Sequence, residues 1–97
     1  MRYTKTTLQN LEDIFKMLGY IIRYEKGNFQ SGYCIVQDRK IIVINKFFEQ
    51  EARINALVEI LNTVDFQISL FDERLQKFLK SIGYEDSMTK TNALDKQ

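Results

Sequence analysis

Tyr20-Ile21-Ile22-Arg23-Tyr24, Gly27-Asn28, Tyr33-Cys34-Ile35-Val36, Asp38-Arg39-Lys40 and Ile41-Ile42-Val43-Ile44 together decide how this chain reads. They spell strand, turn, strand, turn, strand, and Phe47 to Asn62 follows at helical spacing. In the first strand Tyr20, Ile22 and Tyr24 fall on one side, and Ile21, Arg23 and Glu25 on the other. The third strand does not alternate. Ile41, Ile42, Val43 and Ile44 put large apolar groups on both faces, which calls for cover on both, from helices or from a second chain.

Working outward, Leu8, Leu11, Ile14, Phe15 and Leu18 share one arc of a 3.6-residue period, with Thr7 as the expected cap and Gly19 as the stop. Asn10, Asp13 and Lys16 are expected on the solvent side, with Glu12 and Lys16 at pairing distance. After the sheet, Ile54, Leu57, Val58, Leu61 and Val64 form an apolar stripe, while Ala52, Asn55, Ala56, Glu59 and Asn62 lie opposite. A short extended piece is expected at Phe66 to Ile68. A third helix, with Asp72 as a possible cap, carries Leu75, Phe78, Leu79 and Ile82 and stops at Gly83. The pattern predicts an α+β fold: a helix, a three-stranded antiparallel β-meander and two further helices. Residues 1–84 are expected to form a single domain, and 85–97 a disordered polar tail.

Composition narrows the chemistry. The chain has 97 residues, 44% hydrophobic and 28% charged, with a formal net charge of +1. That is the profile of an ordinary globular domain, with no overall pull toward polyanions. No apolar run is long enough to span a bilayer, and the polar start resembles no signal peptide. A lone cysteine, Cys34, fits a reducing, cytoplasmic setting, and its strand position suits a packed thiol. With no histidine, the usual general base and commonest metal ligand are missing. None of the four glycines falls in a phosphate-cradling motif. Neither metal nor cofactor is expected, and the reading is non-catalytic.

The strand-to-helix unit from Ile41 to Asn62 resembles the small zincin-like metallopeptidases. Val58-Glu59-Ile60-Leu61-Asn62 occupies the positions of their HExxH helix motif. Glu59 matches and both histidines are replaced, so the resemblance implies a scaffold kept for binding, without zinc. Gly32-Tyr33-Cys34 and Val43-Ile44-Asn45-Lys46 also resemble a group of short bacterial proteins, which implies a bacterial cytoplasmic origin.

Two partner surfaces are expected. The first is a protein interface, self-associating as a homodimer by default, built from Ile42, Ile44, Phe48, Ala52, Asn55 and Glu59. Phe48 lies off the apolar stripe, and Ala52 and Ala56 would let a second helix approach closely. The alternative is a single-stranded nucleic-acid surface made by Arg23, Lys26, Phe29, Arg39 and Lys40. Between Tyr20 and Lys46, five cations face only Glu25 and Asp38, with aromatic rings among them. The acidic helix that follows favours the protein interface.

Overall fold

The computed structural model describes residues 1–26, 33–36 and 39–85, with the side chains of 33–36 excepted. Its element order is α1 (Lys5–Met17), β1 (Ile21–Glu25), β2 (Tyr33–Val36), β3 (Ile41–Asn45), α2 (Gln50–Leu61), a single 3-10 turn (Ile68–Leu70) and α3 (Glu73–Ser81). The chain divides into two compact units, one covering Arg2–Val64 and the other beginning at Asp65.

The larger unit is an α+β layer, and its sheet is not a meander. The strand order is β1-β3-β2. β3 pairs with β1 in parallel, Ile21 with Ile41 through Glu25 with Asn45. It pairs with β2 antiparallel, Tyr33 with Ile44 through Val36 with Ile41. The expected neighbours β1 and β2 are therefore separated by the last strand to arrive. The reason lies in composition. The strand with the most apolar surface is best placed in the centre, where neighbours flank both edges, while β1, with Arg23 and Glu25, tolerates an open edge.

The two sheet faces differ. Ile42 and Ile44 are fully buried, and their register partners Ile22 and Tyr24 are half-buried beside them. On the opposite face Ile41 and Val43 are half-buried, Arg23 is exposed, and Ile21 is 56% exposed. α1 packs on β1 and on α2, so the helices lie on the Ile42–Ile44 side. Leu11, Ile14, Phe15, Ile54, Leu57, Ile60 and Leu61 complete this core, all fully buried.

α1 starts one turn earlier than Thr7 suggests. Thr4 is the cap, its Oγ1 accepting from the Thr7 amide at 3.1 Å, and Thr7 itself is buried. Asn10 is also buried, because α2 covers the side of α1 expected to face solvent. The helix stops at Gly19, whose φ of 91° is open to glycine at little cost. There the Tyr20 amide reaches the Phe15 carbonyl at 2.9 Å, and the Gly19 amide reaches that of Lys16 at 3.0 Å. The two rings meet edge-on at 5.6 Å, the apolar contact that accompanies this kind of helix end.

α2 begins at Gln50, not Phe47. Asn45 holds the preceding turn, its Oδ1 accepting from the Phe47 amide and its carbonyl from the Phe48 amide, both at 3.0 Å. The helix is also buried over a wider arc than its apolar stripe predicts, since Ala56 and Ile60 are inside and Val58 is only half-buried.

In the second unit, Asp72 caps α3 by accepting from the Leu75 amide at 2.9 Å. Ile68, Phe71, Leu75 and Leu79 are its buried side chains. The piece expected to be extended at Phe66 to Ile68 gives way to the 3-10 turn, with the Phe71 amide bonded to the Ile68 carbonyl. Phe66 lies against both Phe71 and Tyr84. The tail expected from residue 85 lies outside the described residues after Glu85.

The asymmetry of the sheet has a direct consequence for stability. Ile44→Ala should cost about 2–5 kcal/mol through lost burial and a residual cavity. Ile21→Thr on the open face should stay within about 0.5 kcal/mol. Urea midpoints at unchanged slope would check both values, and equal costs would contradict the one-sided burial.

Candidate functional site

Among the described residues, the larger unit carries a cleft and a groove. The cleft lies between α1 and β1, about 370 Å³ in volume, walled by Gln9, Glu12, Asp13 and Lys16 of the helix and by Tyr20, Ile21, Ile22 and Tyr24 on the strand side. The helix contributes its i, i+3, i+4 and i+7 positions, which form one face, and the strand chiefly its alternate residues, with Ile21 at the edge. Sequence periodicity assigned Tyr20 and Tyr24 to the core and Glu12 to a pair with Lys16. In the structure Glu12 turns instead to Tyr24, accepting a short hydrogen bond from its hydroxyl. The i and i+2 alternation of Tyr20, Ile22 and Tyr24 was a usable signal for this wall. Nothing in the sequence indicated which acid on α1 would meet it.

Tyr24 joins three elements. Its hydroxyl is bonded to α1, and the guanidinium of Arg53 on α2 lies over its ring, 4.6 Å from the centroid. Burial, then the hydrogen bond and negative charge of Glu12, push the Tyr24 phenol well above the ordinary tyrosine range, with Arg53 opposing. Arg53 is itself fixed, donating from Nε to the Phe48 carbonyl at 2.9 Å and from Nη2 to the Lys46 carbonyl at 3.0 Å. Gln9 donates to Asp13 at 2.9 Å on the same helix face.

The second concavity runs along the outer side of α2. Phe48, Ala52, Asn55, Ala56 and Glu59 line a groove of about 240 Å³. Phe47, Glu49 and Glu51 border an adjoining hollow that shares Phe48, Ala52 and Asn55. Positions 52, 55 and 59 follow the helical repeat of α2 and Phe48 joins them from the preceding turn, so one groove is lined by four of the six residues expected at a protein interface. The other two, Ile42 and Ile44, are buried in the core and unavailable to a partner. Among the described residues, the aromatic group most open to solvent is Phe47, 66% exposed, with the Lys46 ammonium 5.7 Å from its ring centroid. Periodicity missed this because it placed Phe47 inside the helix. From the chain start, Tyr3 donates its hydroxyl to Asn55 at 3.0 Å, and its carbonyl accepts from Gln50 at 2.8 Å.

Among the described residues, those expected to bind nucleic acid line neither the cleft nor the groove. Arg23 pairs with Glu25 at 2.6 Å on the open sheet face. Lys40, at a positive φ of 53°, sends its ammonium to the Leu18 carbonyl at 3.4 Å and lies 5.8 Å from the Tyr20 ring centroid. Lys26 and Arg39 are exposed, and Phe29 falls outside the described residues, as does the side chain of Cys34. Among the described residues, no three acidic, histidine or cysteine side chains converge to hold a metal. No described helix is long and apolar enough to cross a membrane.

The raised phenol makes stability fall at alkaline pH. Unfolded Tyr24 ionises near pH 10, whereas the folded group keeps its proton, so the unfolded state gains stability as pH rises past about 10. Below that pH the contribution is complete. Tyr84, raised by burial alone, contributes with the same sign. Tyr24→Phe should therefore shallow the alkaline loss of stability without abolishing it, and should remove the latest-titrating step from the tyrosinate absorbance curve. Loss of a step near pH 10 instead would show that Tyr24 ionises like a solvated phenol.

Comparisons with protein-family models, with curated proteins and with solved structures found no match to this chain.

Proposed function

We propose that the protein is a non-catalytic interaction module whose contact surface is the outer groove of α2, engaged by a second copy of the chain in a symmetric dimer. The observation that carries this reading is the alignment of Phe48, Ala52, Asn55 and Glu59 along one groove, with exposed Phe47 at its end. The small residue at Ala52 leaves room for a close helix–helix approach, and the two phenylalanines supply apolar area at the margin. A two-fold axis needs one self-complementary patch, which a groove bordered by a projecting ring provides. The open sheet face, with Ile21, Ile41 and Val43, offers further apolar surface.

Charge separates this reading from nucleic-acid binding. The groove is bordered by Glu49, Glu51 and Glu59, so two copies meeting there bring like charges together. Salt screens that repulsion, so dimerisation should strengthen as ionic strength rises. Binding through phosphate contacts must instead weaken steeply.

The test is molar mass by light scattering over a range of protein and salt concentrations. The expected result is a concentration-dependent dimer, favoured by salt and abolished by Ala52→Lys. A monomer under all conditions, or a dimer indifferent to Ala52→Lys, would overturn the proposal.

A further inference from the structure

β1 forms one edge of the sheet, and the cleft runs beside it. In a parallel ladder a residue turns both its N–H and its C=O to one neighbour, and the next residue turns both the other way. Ile21 and Glu25 face β3: the Ile21 amide reaches the Lys40 carbonyl and the Glu25 carbonyl takes the Lys46 amide, both at 2.9 Å. The backbone groups of Ile22 and Tyr24 therefore point away from β3. Among the described residues no strand pairs with that side of β1, and none of these four groups has a backbone partner. We propose that an extended peptide segment of a partner protein docks there as a fourth strand, antiparallel to β1 and beneath α1.

The cleft has the place and width of a missing strand. A helix is about 10 Å across and strands lie about 4.8 Å apart, so one helix covers roughly two strands. α1 packs on β1 and beside α2, and the sheet stops at β1, which leaves about one strand's width under the outer side of α1. A hollow confined to the helix-covered face would meet alternate residues only. This one also touches Ile21, which belongs to the opposite face, so it reaches round to the strand edge. The complementarity is of partial charge: two N–H donors and two C=O acceptors alternate along the edge, and an extended backbone matches all four. The register from Ile21 to Glu25 runs without a bulge or a proline, and Arg23 and Glu25 pair with each other on the open face. The edge is therefore straight, and no charged side chain crosses its hydrogen-bonding side. Residues of the docked strand opposite Ile22 and Tyr24 face the cleft, where Ile22 and the two tyrosines offer an apolar floor suited to β-branched side chains.

The probe is the peptide acetyl-Lys-Val-Thr-Val-Lys-amide, titrated into the full chain while amide chemical shifts are followed by heteronuclear NMR. Antiparallel pairing sets its two valines opposite Ile22 and Tyr24, with both valine N–H groups in the ladder. The control peptide carries N-methylvaline at the two positions, which keeps every side chain and charge and removes those donors. Saturable shifts led by the Ile22 and Tyr24 amides are expected, with a Kd of about 1 mM. Loss of two hydrogen bonds should weaken the control about tenfold or more. Equal affinity for the two peptides would overturn the proposal. So would saturable shifts centred away from β1, or no saturation by about 10 mM. None of these outcomes bears on dimerisation, whose readout is molar mass.

Discussion

Everything in the larger unit depends on β3 occupying the centre of the sheet. Ile42 and Ile44 are fully buried there, and the pairing of β3 on both edges satisfies its backbone while they do so. Parallel pairing with β1 then sets which residues share a face. Ile22 and Tyr24 stand beside Ile42 and Ile44, while Ile21 and Arg23 stand beside Ile41 and Val43. A one-residue slip of β1 would exchange the two sets and send Arg23 into the core. Burying that guanidinium, even with Glu25 carried along beside it, would cost several kcal/mol, roughly, so the register is strongly fixed. The cleft wall exists because the register is held.

Tyr24 converts that register into a junction of three elements. A phenol at this position reaches Glu12 on one side, and its ring takes Arg53 on the other. The contacts differ in kind. A hydrogen bond orients α1 along β1, whereas a cation over a ring tolerates sliding and depends mainly on distance. The junction therefore fixes the angle of α1 more firmly than that of α2. The capping turn at Gly19 reinforces this, since it delivers Tyr20 directly from the end of α1 into the strand.

Much of this was legible in the chain, and the failures share a cause. Local signals held where the physics is local. Gly19 ended α1, Asp72 capped α3, and Tyr20, Ile22 and Tyr24 share a side of β1. The antiparallel meander failed because strand order is a non-local choice, which adjacency in sequence favours but does not dictate. The non-alternating Ile41–Ile44 run carried the relevant information, since a strand apolar on both faces suits a central position. Ile42 and Ile44 were read as interface residues from the same run, yet burial separates them from Ile41 and Val43. Asn10 was misplaced because a helix covered by both a strand and a second helix has a wider buried arc than an apolar stripe reveals. Ala52, Asn55 and Glu59 share one side of α2, as their spacing implies, and Phe48 reaches the same groove from the turn before the helix.

Arg53 also relates the two concave surfaces physically. Its guanidinium lies on the Tyr24 ring behind the cleft, and the same group donates to the carbonyls of Lys46 and Phe48, which support the turn bearing Phe47. Contacts thus run without a break from Glu12 through Tyr24 and Arg53 to the margin of the α2 groove. Such a chain transmits a signal only if one of its members has a second arrangement of similar energy. Arg53 is held against that by three contacts at once, to the ring and to both carbonyls, through its planar fork. The path is therefore better understood as bracing than as a relay. It keeps the cleft wall and the groove margin in fixed positions.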